Sequence, residues 1–370
     1  MTSVAFLADQ LFYRVPGGIG AYVRELLPAM VAADPSIDIT AFHARFDGPG
    51  PSELGPFNPV ELDRGIRTLY PGWTLAGRPP LPRLLAELDL VHAPSPAAVP
   101  PPGRRQALVV TVHDVAFRLF PQMYPPAWRT LFRMGLRRAS RHADAIITVS
   151  RHTATDLARL TRVDPTRVHV VPSAIALPPG QSDPEPALRR LKVPRPYLLF
   201  AGTLEPRKNL VRLVRAYRRA ALRVPHALVL AGPLGWRSQR LHRELAVPGR
   251  GRVMLTGRVT APELDALYRG ADAFCYPSLY EGFGLPVLEA MARGVPVVSS
   301  TASSLPEVAG DAAILVDPRS VRDLAQAIEQ ALTDREEAER LGALGRDRAS
   351  RFTWDRTARL TLGVYEAVRR

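Results

Sequence analysis

The chain of 370 residues holds a single cysteine, Cys275, and two lysines, Lys192 and Lys208. One thiol cannot close an internal disulfide or build a cysteine-based zinc cluster. Its apolar neighbours Phe274 and Tyr276 mark Cys275 as a core residue. No apolar run approaches the ~18 residues that a membrane-spanning helix needs. The opening MTSVAFLADQ lacks the basic start, long apolar stretch and small-residue cleavage pattern of a secretion signal, so the expectation is a cytoplasmic protein. No spacing of histidines and acids suggests a metal site.

The scarcity of lysine also bears on the charge. There are 49 basic against 35 acidic side chains, a net +14, and 47 of the basic ones are arginine. With abundant alanine, proline and glycine, this looks like codon bias toward GC, which makes arginine the default surface cation. The arginines are dispersed and no aromatic-basic recognition motif appears, so nucleic acid is not an expected partner. A content of 46% hydrophobic and 23% charged residues excludes wholesale disorder. The length exceeds the roughly 250 to 300 residues at which single cores stop growing, which predicts two domains.

Short β-branched runs alternate with segments of helical period, the pattern of an α/β protein with doubly wound parallel sheets. Strands are expected at Ser3 to Ala8, Ile37 to His43, Leu88 to Pro94, Ala107 to Asp114, Ala145 to Ser150 and Val168 to Ser173. The rhythm then breaks in LPPGQSDPEPALRRLKVPRP, Leu177 to Pro196, which carries six prolines and reads as a linker. It restarts at Tyr197 to Thr203, followed by His226 to Gly232, Arg252 to Gly257, Ala273 to Ser278, Pro296 to Ser300 and Ala312 to Pro318. The predicted division is 1–178, a linker over 179–196 and a second domain over 197–353.

Open parallel sheets bind ligands outside the carboxyl ends of their strands, so two such domains are expected to share a central cleft. Several chemistry-bearing residues fall at strand ends. In AGTLEPRKNL, Arg207 and Lys208 follow Gly202 at the start of a helix with Asn209 as its expected N-cap. Cations are disfavoured at a helix N-terminus unless an anion neutralises them, and a diphosphate would do so, held by the guanidinium fork and the ammonium. A solvated surface pair is the other reading. In SLYEGFGLPVLEAMARGVPVVSS, Pro286 opens a helix, with Glu281 in the turn before it and Glu289 one turn inside. A carboxylate can accept from the two hydroxyls of a ribose, so Glu289 suits a ribose and Glu281 a sugar ring; a capping acid plus an exposed helix acid is the alternative. Gly282 and Gly284 would let backbone approach a ligand closely.

VPGGIGAYVRELL puts Gly17, Gly18 and Gly20 in a turn entering a helix after the first strand, which admits a diphosphate, an acceptor or nothing. His113, with Asp114 beside it, ends a buried strand and is either a sugar contact or a satisfied core histidine. PPAWRTLFRMGLRRASRHADA sets Trp128, Leu131, Phe132 and Leu136 against Arg129, Arg133, Arg137, Arg138 and Arg141. Such a helix packs on a core or lies peripherally on an anionic membrane at the cytoplasmic face.

GTLEPRKNL, GRVTAPELDALYRGADAFCYPSLYEGFGLPVLEAMARGVPVVSS and SLPEVAGDAAILVDP together resemble the nucleotide-sugar half of the retaining family 4, or group 1, glycosyltransferases with the GT-B fold. GGIGAYVREL, VHAP, TVHD and ITVSRHTATDL extend the likeness to the first half. The resemblance implies two Rossmann-like domains facing a cleft and transfer of a hexosyl group, with retention and without a metal, from a nucleoside diphosphate sugar. The co-substrate would be GDP-, UDP- or dTDP-linked, and the acceptor a carbohydrate, lipid-linked or small-metabolite hydroxyl. No further cofactor is implied. By the same resemblance Arg207 and Lys208 bind the diphosphate, Glu289 the ribose, and Glu281 with the backbone of Phe283, Gly284 and Leu285 the transferred sugar. His113 matches a histidine contacting that sugar, and Gly17 to Gly20 a loop over the phosphates. The last segment, 354–370, resembles a helix that crosses back onto the first domain. Two positions depart from the family pattern: Thr203 where arginine is common, and Ser173-Ala174 in place of asparagine-glycine. A nucleotide-sugar epimerase, a glycoside phosphorylase, or a basic adaptor without catalysis are the rival readings.

Overall fold

The structure, a computed structural model, describes residues 2–13, 17–48, 50–176 and 183–369. The chain divides into two units, residues 1–174 with 353–370, and residues 175–352.

The first unit is built on β1 (Ser3–Leu7), β2 (Asp38–His43), β3 (Val60–Glu61), β4 (Leu90–Ala93), β5 (Ala107–Val112), β6 (Ala145–Thr148) and β7 (Val168–Val170). They lie in the order β3-β2-β1-β4-β5-β6-β7, every pairing parallel. A parallel sheet covered on both faces needs strands that are apolar throughout, and every residue of ALVVTV in β5 is buried. Six of these strands are those expected from the sequence; β3 is new, because two residues carry no period. The expected carboxyl ends overran the ladders, so His113 and Asp114 lie beyond β5.

Helix Gly17–Ala33 packs against helix Trp354–Val368, which belongs to this unit. Tyr365 on the latter reaches buried His92 on β4, with Oη and Nδ1 2.6 Å apart, while His92 Nε2 lies 2.8 Å from Thr111 Oγ1. Burial holds His92 down at about 3, so the ring is neutral and both nitrogens are used.

The second unit contains β8 (Tyr197–Ala201), β9 (Ala227–Ala231), β10 (Val253–Gly257), β11 (Ala273–Tyr276), β12 (Val297–Ser300) and β13 (Ile314–Val316), ordered β10-β9-β8-β11-β12-β13 and again all parallel. Leu198, Phe200, Leu228, Leu230, Phe274, Cys275 and Val298 are fully buried in its core. β8 and β9 end so close together that a Cβ on Gly232, at φ 142°, would sit 2.1 Å from the Gly202 carbonyl oxygen. Only glycine fits there.

The stretch read as linker is not wholly irregular. Residues 177–182 lie outside the described residues, but Glu185–Arg190 is a helix packed on helix Ala261–Arg269, with Leu188 buried. Pro186 sits in its first turn, where its missing N–H costs nothing, so the proline density that suggested a break is compatible with a helix start.

Replacing Tyr365 by Phe removes one partner from a buried imidazole and should cost about 1–3 kcal/mol in a urea unfolding experiment. An unchanged midpoint and slope would mean that the bond contributes nothing in solution.

Candidate active site at the edge of the second sheet

β8 and β11 are neighbours in the sheet, yet the chain leaves β8 toward β9 on the opposite side. At such a reversal the loops diverge and a crevice opens beyond the carboxyl ends of the strands. The loops at this point carry Glu205 to Asn209 after β8, and Ser278 to Gly284 after β11.

Pro206–Lys208 forms a 3-10 turn, followed by helix Leu210–Ala220. Asn209 stands at the helix start in the left-handed region, φ 63°, but its side chain does not cap the helix. Its Nδ2 donates instead to the carbonyls of Pro277, at 3.0 Å, and Pro318, at 2.6 Å, tying this turn to the loops after β11 and β13. The Arg207 carbonyl accepts from the Leu279 amide at 2.9 Å. Local turn chemistry therefore aims Arg207 and Lys208 at the loop that contains Glu281.

The three side chains meet. Arg207 Nη1 donates to Glu281 Oε2 at 2.7 Å and to the Tyr280 carbonyl at 2.7 Å. Lys208 Nζ donates to Glu281 Oε1 at 2.7 Å and to the Tyr276 hydroxyl, and it lies 4.9 Å from the centre of that ring. Arg207 Nη2 donates to Glu205 Oε1 at 2.8 Å. The amide of Glu281 is held by Ser303 Oγ at 2.7 Å, and Ser304 Oγ donates to the carbonyls of Glu281 and Phe283. Ser303 adopts φ 55°, strain that this loop sustains to present its hydroxyl.

Lys208 and Glu281 are 8% and 7% exposed, so the pairing is made out of water. Burial works to raise the Glu281 carboxyl, but Arg207, Lys208 and the hydrogen bonds outweigh it and hold it at about 2. Burial and then the Arg207 charge push Lys208 below its usual value, opposed by Glu281 and Glu205. The arrangement corrects one step of the sequence argument. The two cations are not left uncompensated at a helix start, because Glu205 and Glu281 already balance them.

Glu289 lies within helix Leu285–Ala292, whose second residue is Pro286 and whose entry is Gly284 at φ 121°. Its Oε2 accepts from the Tyr268 hydroxyl at 2.8 Å, and burial raises its carboxyl, offset in part by Tyr268 and Arg293. Arg293 donates to the Glu289 carbonyl and to Asp265, and lies 5.1 Å from the Tyr268 ring centre. Behind the site, the rings of Tyr268, Phe274, Tyr276 and Phe200 follow one another at centroid spacings of 5.3, 5.8 and 5.6 Å. Phe283 is buried edge-on against Phe352, and Leu285 is the first helical residue.

The remaining predicted residues belong to the first unit. Gly17, Gly18 and Gly20 form the first turn of helix Gly17–Ala33, Gly17 at φ 63°. His113 Nε2 donates to the Pro94 carbonyl at 3.0 Å, and its ring meets Tyr22 of that helix edge-on at 4.9 Å. Burial pushes His113 down to about 4, so at neutral pH the imidazole is uncharged with its proton on Nε2, and Nδ1 is a hydrogen-bond acceptor. Sequence reasoning missed Glu205, Tyr276, Tyr268, Ser303 and Ser304. Glu205 stood in view inside GTLEPRKNL, whereas Tyr276 and Tyr268 carry the apolar pattern of a core strand and helix. Among the described residues no group of three histidines, cysteines or acids stands together that could hold a metal ion.

Comparison with known proteins agrees with this architecture. The family described as glycosyl transferases group 1 matches residues 185–348, and glycosyltransferase family 4 matches residues 16–177. The O-antigen chain mannosyltransferase B of Escherichia coli is 30% identical over 98% of this chain and 99% of its own. The MMP alpha-(1->4)-mannosyltransferase of Mycolicibacterium hassiacum is 34% identical over 62% of this chain and 56% of its own. Among solved structures, sucrose-phosphate synthase from Thermosynechococcus elongatus superposes with a TM-score of 0.76 at 22% identity, covering 99% of both chains. Anabaena HepE in complex with UDP-glucose gives 0.73 at 20% identity, also covering 99% of both.

The depressed Glu281 carboxyl makes a prediction about acid stability. A carboxylate held at about 2 in the fold and near 4.5 unfolded stabilises above the higher value and loses that contribution as pH falls toward the lower. The native protein should therefore lose on the order of 3 kcal/mol more than a Glu281→Gln variant across this window. Superimposable stability profiles would show that the pairing is absent in solution.

Proposed function

The chain belongs to the group 1 glycosyltransferases, and from that premise we propose that it transfers a mannosyl group from a nucleoside diphosphate sugar to an acceptor hydroxyl with retention of configuration. One observation carries the reading: two cations and an acid from different loops converge at the switch between β8 and β11. A dianionic diphosphate suits Arg207 and Lys208, which can share their donors between it and the carboxylates. Glu281, held ionised beside them, can accept from the hydroxyls of the sugar. Glu289, its carboxyl oriented by Tyr268, can accept from a ribose diol.

In the proposed reaction the acceptor oxygen bonds to the anomeric carbon on the face that the leaving group vacates. The bond from that carbon to the diphosphate oxygen breaks as negative charge grows on the diphosphate. The same oxygen takes the proton of the acceptor hydroxyl, so no other base is required. Arg207 and Lys208 stabilise the growing charge, and buried cations do so more strongly than solvated ones. His113 is assigned to a sugar hydroxyl through Nδ1, and the glycine turn at Gly17 to the phosphates. Mannose is supported by the names of the relatives, which makes GDP-mannose the first donor to try.

A thermal-shift series with GDP, UDP and dTDP sugars, followed by transfer measured with the donor that binds, tests this. A bound donor at 100 times its Kd adds about 2.7 kcal/mol to stability. Arg207→Ala and Lys208→Ala should each lower kcat/KM by roughly 100- to 1000-fold. Glu289→Ala should act mainly on the donor KM. If no nucleoside diphosphate sugar raises the melting temperature and none is consumed, the reading fails. Interconversion of sugars without an acceptor would instead favour an epimerase.

A further inference from the structure

In the proposed reaction Arg207 and Lys208 hold the departing diphosphate and Glu281 the sugar, which leaves Glu205 without a part. Yet its side chain is only 5% exposed, and a buried carboxylate is costly unless its surroundings use it. Its Oε1 accepts from Arg207 Nη2 at 2.8 Å, while the other arm of the same guanidinium, Nη1, donates to Glu281 Oε2 at 2.7 Å. A guanidinium is planar and its donors keep fixed angles. A carboxylate on each terminal nitrogen therefore fixes both the position and the plane of the fork.

Glu205 is itself held on both sides. Its amide donates to the Thr203 carbonyl at 2.9 Å, and its carbonyl accepts from the Lys208 amide at 3.1 Å. The loop after β9 is laced to the same turn: the Leu204 amide donates to the Pro233 carbonyl at 2.9 Å, and the Gly235 amide to the Leu204 carbonyl at 3.1 Å. Gly235 sits so close that a Cβ on it would stand 2.8 Å from Thr203 Cγ2 and 3.1 Å from Glu205 Cβ. The carboxylate thus has little freedom to leave Arg207. Its charge also reaches Lys208, where burial and then Arg207 lower the ammonium while Glu281 and Glu205 work to raise it.

The four side chains carry two formal positive and two formal negative charges, so a diphosphate enters a balanced cluster rather than a bare pair of cations. Out of water such charges act on one another strongly, and a carboxylate fixed on Arg207 opposes any anion that shares this guanidinium. We propose that Glu205 is a positioning residue with two effects: it fixes the Arg207 fork, and its charge limits the affinity of the site for a nucleoside diphosphate, so that this product leaves after transfer. The proposal rests on the reading that Arg207 and Lys208 bind the diphosphate, and adds to it what sets the release.

Calorimetric titration of the full chain with GDP, UDP and dTDP finds the nucleotide that binds best, which is then titrated into two variants. Glu205→Gln keeps an oxygen for Arg207 Nη2 but removes the charge. It should bind the nucleotide about tenfold more tightly, and kcat should fall together with the donor KM as release slows. Glu205→Asp keeps the charge but shortens the reach. Its nucleotide affinity should stay within about threefold of the unaltered protein, while kcat/KM falls roughly tenfold because the fork is no longer held. Equal or weaker nucleotide binding by Glu205→Gln overturns the proposal, as does equal tightening in both variants, since charge would not then be the cause. Should Glu205→Gln fail to fold, Glu205→Asp decides: an unchanged kcat/KM, or a nucleotide affinity outside that range, overturns the proposal. If none of the three nucleotides binds the unaltered protein, the diphosphate reading fails first and this proposal with it.

Discussion

The second unit is organised around one ionic arrangement: a glutamate whose two oxygens are taken by a guanidinium and an ammonium, nearly out of water. Removing two cations and a carboxylate from solvent costs several kcal/mol per ion, and the mutual attraction repays it only when geometry is good and the other polar atoms are satisfied. The surroundings supply those conditions. Glu205 takes the second arm of Arg207, the Tyr276 hydroxyl accepts a hydrogen bond from Lys208, and Ser303 fixes the Glu281 backbone. Asn209, by spending its side chain on Pro277 and Pro318 rather than on a helix cap, locks the loops that bear these groups to one another.

That arrangement sits where it does because of topology. Parallel strands force each connection to return across a face of the sheet, so all the loops that follow strands gather at one edge. Where the winding reverses, two of them part, and groups from distant stretches of chain can meet without a strand between them. Lys208 and Glu281 are 73 residues apart and 2.7 Å from each other for this reason. The switch between β8 and β11 is where this sheet sets positive charge beside a carboxylate, which is what the proposed departure of a diphosphate from a sugar would use.

The first unit uses the same sheet for a different electrostatic end. Beyond β5 lies a neutral histidine, His113, tied to a carbonyl and packed on Tyr22. An outer helix, Pro126–His142, carries Arg129, Arg133, Arg137, Arg138 and Arg141 and no acid. The second unit pairs two of its cations inside a buried cluster, while Arg133, Arg137 and Arg141 of the first are exposed. The same residue type serves both because a guanidinium is weakly hydrated enough to be buried in a pair and flexible enough on its stem to cover a surface.

Much of this was legible in the residues themselves. Continuous apolar strands announced buried parallel sheets, and twelve strands fell where alternation placed them, since burial on both faces leaves a signature that needs no partner to be read. The motif residues Arg207, Lys208, Glu281 and Glu289 stood out because charge in apolar, glycine-rich surroundings is costly unless used. What the sequence could not specify is who neutralises whom. Whether Arg207 and Lys208 wait unpaired or are already balanced depends on a contact across 73 residues, and that distance closes only when β8 and β11 lie side by side. The roles of Tyr276 and Tyr268 were likewise hidden, because a tyrosine in a core strand or helix looks apolar until the fold brings a carboxylate or an ammonium to its hydroxyl. Local pattern determines which segments are buried. Which polar atoms meet inside is decided only when those segments pack.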